Sequence, residues 1–315
     1  MKQPLFLKPV FHERIWGGTS LKSKFDYEIS SELTGECWAI SGHPNGQSTV
    51  KNGTHAGKTV GELWEEKREW FGDHPSPVFP LLTKILDAND DLSVQVHPDD
   101  EYAREYEEGE LGKTECWYII DCDEGAELIF GHKARTKEEF VRMIEDGKWD
   151  DLLRRVPIKP GDFFYVPSGT IHALCKGTLV LETQQNSDTT YRVYDYDRRD
   201  QDGKTRELHI RQSIDVTRIP HQTPEVTHRV EKRDGVEVTT YVEADYFTVY
   251  KWRINGRASF QQDQPFQLAS VIEGGGMLHV SGEKLSLNKG DHFILPSGMD
   301  HFELEGDMEI IVSHV

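Results

Sequence analysis

Along most of the chain, apolar residues alternate with polar ones or gather in short runs, which is the spacing of strands rather than helices. One such pattern occurs twice. Residues 160–172 read PGDFFYVPSGTIH and residues 289–301 read KGDHFILPSGMDH, at a constant offset of 129 and with seven of thirteen positions identical. The shared residues are Gly161/Gly290, Asp162/Asp291, Phe164/Phe293, Pro167/Pro296, Ser168/Ser297, Gly169/Gly298 and His172/His301. Each copy predicts a Gly-Asp turn, a short apolar strand, a Pro-Ser-Gly break and a second strand opening at the histidine, together a hairpin-like unit. Upstream, WYIIDCDEGAELIFG (117–131) and LASVIEGGGMLHVSG (268–282) each predict strand, glycine turn, strand, with Gly274, Gly275 and Gly276 making the second turn. The chain therefore divides into two related all-β modules, residues 1–219 and 220–315, with 220–235 as a linker.

Helical spacing is confined to small segments. An insertion at 132–157 splits the first module. In it Thr136 and Glu139 form a capping signature, Phe140, Met143 and Ile144 share a face until Gly147, and a second short helix runs from Trp149 to Leu153. Further short helices are predicted at 61–71, at 100–108 after Asp99, and at 206–216. The stretch 184–205 is polar and rich in turn residues.

A length of 315 residues with 36% hydrophobic and 10% aromatic content supplies two cores, at about 150 residues per domain. Apolar runs fall far short of the roughly 18 residues of a membrane helix, and the opening MKQPLFLKPVFHER has no signal-peptide pattern, so a cytosolic protein is expected. With 36 basic and 55 acidic residues the net charge is −19, which disfavours nucleic-acid and anionic-membrane partners and requires a local basic pocket for any anionic ligand. The basic residues Arg192, Arg198, Arg199 and Arg206 are interleaved with aspartates and make no basic patch. Cys37, Cys116, Cys122 and Cys175 form no CxxC pair and read as buried thiols.

The pattern G-(x)5-P-x-G-(x)2-H, present as Gly161, Pro167, Gly169 and His172, is similar to the second signature of the cupin superfamily, small jelly-roll β-barrels. Lys176 stands where that signature usually has asparagine. Four further segments are more specific: SVQVHPDD (93–100), GKTECWYII (112–120), PSGTIHAL (167–174) and QQNSDTTYRVYDYDR (184–198). In this order they resemble the zinc-dependent mannose-6-phosphate isomerases of the cupin type, from RIWGG at 14–18 to the end of the chain, and in particular their short bacterial branch. GKTE replaces the NHKPE-like sequence of longer members and keeps its lysine and glutamate. The resemblance implies two cupin modules and an aldose–ketose isomerase that interconverts mannose 6-phosphate and fructose 6-phosphate. The competing readings are a cupin metal oxygenase and a non-catalytic bicupin that binds sugar phosphate.

Within that resemblance the site residues can be named. Gln95 and His97 are two apart on a strand, so their side chains share a face about 7 Å apart. Glu115 opens the next strand and His172 the strand after the Pro-Ser-Gly break. Two imidazoles, one carboxylate and an amide form an open ligand set that suits zinc, one ion per chain, although iron and manganese also accept it. Gln95 either ligates or orients water. Lys113, two residues before Glu115, points toward the same ion and donates to a substrate oxygen or phosphate. The family match makes Arg192 a catalytic pocket residue whose guanidinium grips phosphate or enediolate oxygens in pairs. Ser93 is a phosphate or hydroxyl contact. The proton-transferring base stays open among a metal-bound water, Lys113, Asp188 and Glu182. The second module has neither histidine nor carboxylate near Phe266, where the counterpart of Glu115 falls, and is expected to be metal-free. A monomer or a homodimer is compatible with the sequence.

Overall fold

The structure, a computed structural model, describes residues 2–199, 202–226 and 228–315. Its strands lie in three antiparallel sheets of six, five and nine strands. The six-stranded sheet runs Phe163–Val166, Glu115–Cys122, Thr178–Gln185, Leu81–Ala88, Thr34–Ser41, Val10–Gly18. The five-stranded sheet runs Tyr191–Tyr194, Val94–Val96, His172–Leu174, Glu127–His132, Leu153–Pro157.

Side-chain alternation explains how these two stack. From the six-stranded sheet Leu86, Trp117, Ile119 and Val180 meet Leu128, Phe130 and Leu174 of the five-stranded one in a shared core. The intervening residues Ile85, Cys116, Tyr118, Leu179 and Leu181 point the other way, into a core shared with Leu5, Phe266, Leu268, Ile294 and Ile311 of the nine-stranded sheet. The six-stranded sheet is thus the middle layer. Its strands Leu81–Ala88 and Thr178–Gln185 are buried on every residue, and any polar side chain there must find a partner. The outer face of the five-stranded sheet is covered by the helical insertion and the helix Ile210–Val216, through Phe140, Ile144, Leu152 and Ile214.

The nine-stranded sheet holds the chain from Arg229 onward, with Leu5–Lys8 and Thr49–Val50 from the N-terminal region added at one edge. Its second core is built from its own residues, among them Trp252, Ile254, Val271, Leu278, Phe302 and Ile310, so the sheet curls back on itself. The bend has a visible cause. Gly256, Gly306 and Gly276 lie side by side in three long neighbouring strands, and a Cβ at Gly276 would sit 2.1 Å from the Glu305 carbonyl oxygen. Glycine is required for that close approach.

Four expectations change. The sheets are open paths rather than closed barrels, because curling and face-to-face stacking bury their apolar faces without closure. The Gly274–Gly276 run is no turn; Phe266–Val280 is one continuous strand through it, since glycine there serves the bend. The Pro-Ser-Gly break does not close a hairpin. Phe163–Val166 pairs with Glu115–Cys122 in one sheet, while His172–Leu174 pairs with Val94–Val96 and Glu127–His132 in the other. Gly169, with φ of 80°, turns the chain across the sandwich. Within the linker, Arg229–Arg233 is a strand paired with Val236–Glu243. The predicted helices are present as Val60–Glu66, Asp100–Tyr106, Lys137–Glu145, Trp149–Leu152 and Ile210–Val216. Thr136 caps Glu139 N, but the Glu139 carboxylate accepts from Arg135 N instead of returning to Thr136. No helix among the described residues is long and apolar enough to cross a membrane.

Candidate active site

The crossing at Gly169 is what assembles the site. Gln95, His172 and Arg192 lie in register on adjacent strands of the five-stranded sheet, and alternation with Val94, Val96, Tyr191 and Val193, which pack outward, turns all three toward the middle sheet. Opposite them the middle sheet presents Glu115, Glu182, Lys84, Glu36 and Trp38, whose alternation partners face the other core.

His97, Glu115 and His172 converge in the interior, each 1% exposed, with one ligand atom from each within 4.8 Å of the others. The Glu115 carboxylate lies 3.2 Å from His172 Nε2 and 3.5 Å from His97 Nε2. Each imidazole donates its Nδ1–H to a backbone carbonyl, His97 to Thr189 at 2.8 Å and His172 to Thr170 at 2.9 Å. That fixes the tautomer and leaves both Nε2 atoms unprotonated, with the lone pair of each facing inward. Burial, followed by the charge of Lys113, holds His97 well below its usual pKa, and burial brings His172 down to about 4. Both rings are neutral donors at pH 7. His97 Nε2 and both Glu115 oxygens have no hydrogen-bond partner. Buried acceptors without donors are costly, and a divalent cation is the partner their chemistry fits. Among the described residues this is the one group of histidine, cysteine or carboxylate side chains that so converges.

Gln95 Nε2 is 3.3 Å from His172 Nε2 and Lys113 Nζ is 3.3 Å from Glu115. Both also line a cavity of 380 Å³ together with Ser93, Arg192, Asp188 and Glu182, so every residue named from the sequence either belongs to the buried triad or borders this cavity. The cavity wall carries five cations, Arg14, Lys84, Lys113, Arg192 and Arg206, against the carboxylates of Glu36, Glu182 and Asp188. In a chain of net charge −19 this is the local basic pocket that an anionic ligand needs. Burial pulls the Lys113 pKa down, but Glu115, Glu182 and Asp188 outweigh it and the net shift is upward. Lys113 is charged at pH 7. Arg192 is held from behind, where the Tyr191 hydroxyl donates to Glu107 at 2.5 Å and Arg192 N donates to His209 Nδ1 at 3.2 Å. A larger open cavity of 860 Å³ beside the helix Asp100–Tyr106 borders neither the buried triad nor the five cations.

Relatives of the chain carry the same architecture. Residues 5–120 match the family described as phosphomannose isomerase type I, catalytic domain, and residues 237–315 match mannose-6-phosphate isomerase, cupin domain. Mannose-6-phosphate isomerase ManA of Bacillus subtilis (strain 168) is 60% identical over 99% of each chain. The chain belongs to the type I phosphomannose isomerase family. A mannose-6-phosphate isomerase of Streptococcus mutans is 57% identical over all of this chain and 99% of its own. A crystal structure of the mannose 6-phosphate isomerase from Bacillus subtilis superimposes with a TM-score of 0.98 over the whole of both chains at 59% identity.

Three groups that shape this isomerase-family cavity went unnamed in the sequence reading. Lys84 is 3% exposed, lies 3.6 Å from Glu182 and 3.9 Å from Glu36, and sits over the Trp38 ring at 4.9 Å. Burial raises the Glu36 pKa, yet Lys84 and Arg14 overcome it and bring it to about 2. Arg14 completes that network at 2.8 Å from Glu36. For Lys84 the signal was a lysine inside the strand LLTKILDA, and its pairing with Glu182 across the ladder depends on register.

Proposed function

We propose that this protein is a metal-dependent aldose–ketose isomerase that interconverts mannose 6-phosphate and fructose 6-phosphate, with His97, Glu115 and His172 as protein ligands of one zinc ion. The observation that carries the reading is the set of bare, buried acceptors directly behind a cavity walled by cations. When bound, the metal supplies Lewis-acid stabilisation of negative charge on substrate oxygens. The chain's own residues do the rest. His97 and His172 are aimed by the Thr189 and Thr170 carbonyls, and Gln95 bridges from His172 to the cavity.

Lys113 and Arg192 enclose the anionic substrate from two sides, Lys113 as a compact charge and Arg192 as a fork able to grip paired oxygens. Ser93 offers a hydroxyl on the same wall. Glu182 accepts from Trp117 Nε1 through Oε2 at 3.0 Å and turns Oε1 toward the Lys84 ammonium at 3.6 Å, which makes it an ion-pair partner of Lys84. Asp188 and Lys113 both line the cavity and are the side chains we assign to carry the proton between carbons 1 and 2, alongside a metal-bound water. We read residues 1–219 as the catalytic cupin module and 220–315 as a second, related module that supports it.

The test is a coupled assay on mannose 6-phosphate with the protein as purified, after chelation, and after restoration with zinc, iron or manganese. Activity should vanish with the chelator and return best with zinc. An Arg192→Ala variant should retain its metal and lose about 30- to 1000-fold in kcat/KM, with Lys at that position restoring only part. Turnover that survives complete metal removal would overturn the metal reading, and a wild-type Arg192→Ala enzyme would remove that arginine from the site.

A further inference from the structure

Lys113 does not sit on a strand. It lies in the segment Gly112–Thr114 that leads into Glu115–Cys122, and a loop has no ladder to fix its side chain to better than an ångström. Something else must hold it. The Gly112 N–H donates to Asp100 Oδ1 at 2.7 Å, and the Gln185 amide spans the same gap: its Nε2 donates to Asp100 Oδ1 at 2.9 Å and its Oε1 accepts from Thr114 N at 2.9 Å. Lys113 N itself donates to Pro98 O at 2.9 Å. Three consecutive backbone N–H groups are thus claimed by Asp100, by the residue two before it, and by a glutamine fastened to Asp100. The fit is tight, since a Cβ at Gly112 would fall 2.4 Å from Asp100 N.

We infer that Asp100, with Gln185, is a positioning residue for the isomerisation, a clamp that fixes the backbone of Gly112–Thr114 and through it the placement of the Lys113 ammonium beside Glu115. This rests on the role proposed above for Lys113. One oxygen of the Asp100 carboxylate, Oδ1, serves the loop and the glutamine at once, so the first turn of the helix Asp100–Tyr106 bears on an ammonium it does not touch. A displacement of about 1 Å at such a group can cost on the order of 100-fold in rate.

A double-mutant cycle distinguishes acting through Lys113 from general structural support. Wild type, Asp100→Ala, Lys113→Met and the double variant are compared for kcat and KM, metal content, thermal midpoint and amide hydrogen exchange. Asp100→Ala should lose tenfold or more in kcat/KM with metal retained and with exchange accelerated at 112–114. In the Lys113→Met background the same change should cost less than twofold. Asp100→Asn, which keeps the acceptor oxygen, should recover to within about threefold of wild type. If Asp100→Ala does not fold, Gln185→Met, which preserves side-chain volume but removes the amide, takes its place in the cycle. Equal losses in both backgrounds, or an unchanged Asp100→Ala enzyme, would overturn the clamp. Wild-type activity in Lys113→Met alone would instead sink the reading of Lys113 on which the clamp depends.

Discussion

The two copies of the repeated segment share seven residues and end in different places. In both, the glycine and aspartate close the same turn: Gly161 N donates to Ile119 O at 2.8 Å and Gly290 N to Val271 O at 2.9 Å, while Asp162 accepts from Lys159 N at 3.0 Å and Asp291 from Asn288 N at 2.8 Å. Both glycines have φ near 90°, 91° and 89°. Downstream the copies part. His172 is buried against Glu115 and His97, whereas His301 is exposed on the strand Asp300–His314 opposite Gln261. Val166 pairs with Glu115, and its counterpart Leu295 pairs with Gln267, so an amide stands in the second copy where the first has its carboxylate. The repeated residues make turns. The buried cluster arises only where the strand after the turn crosses to a facing sheet and meets a carboxylate from it.

Writing the second copy's residue into the first gives the largest expected effect. Glu115→Gln keeps the shape of the side chain but removes the charge that balances a divalent cation between two neutral imidazoles. Bound metal should fall below about one tenth of an equivalent, and turnover should drop at least 100-fold, more than the loss of an outer-shell partner costs. Elemental analysis and the coupled assay read both. Retention of a full metal equivalent with normal turnover would remove Glu115 from the ligand set.

Much of this contrast was legible before the fold was known, and its limits are physical. Short motifs such as QVHPDD and TECWYII single out residues that converge in the fold because the motifs are local, and helices with an N-cap and an apolar face, such as Lys137–Glu145, announce themselves by period. Sheet membership does not. Nothing local to PSG tells a crossing between sheets from a hairpin, and nothing local to GGG tells a bend from a turn, because both depend on which distant strand arrives alongside. For the same reason the N-terminal strand Leu5–Lys8 gives no sign that it pairs with His292–Pro296. Lys84 was visible only as a lysine in a buried strand, and its partnership with Glu182, which the sequence offered only as a candidate base, is a property of register.

The middle-sized test concerns His292, which stands where the first copy has Phe163. The ring is fully buried and bridges Ser270 Oγ at 2.8 Å and the Tyr27 hydroxyl at 2.7 Å. Burial, with a lesser contribution from Lys51, takes its pKa to about 3. The folded protein therefore keeps this ring neutral while the unfolded chain takes up a proton below its ordinary value near 6.5. Its contribution to stability is complete above pH 6.5 and is lost as pH falls toward 3, by about 2 kcal/mol at pH 5. Other buried histidines add to the slope, so the measurement is a difference. His292→Phe, the first copy's residue, should be less stable at pH 7, where Ser270 and Tyr27 lose a partner. Between pH 7 and 5 its urea-unfolding stability should decline by about 2 kcal/mol less than that of the wild type. Parallel declines would show that His292 is not the source.

The smallest effect is expected at the residue that looks most like a ligand in sequence. His301 answers to His172 position for position, and symmetry alone would assign it a metal. Two facts of placement argue otherwise. Its side chain is exposed, and the position of Glu115 is held by Gln267, a buried amide at 6% exposure. One solvated imidazole cannot compete with water for zinc, because such sites draw three or four protein ligands together. His301→Gln should leave metal content unchanged, kcat/KM within about twofold of wild type, and stability within about 0.5 kcal/mol, as for an exposed substitution away from a cap or a core. Two tightly held metal ions per wild-type chain, one of them lost in His301→Gln, would mean that the second copy kept its chemistry, and that burial and register are not what separates the two.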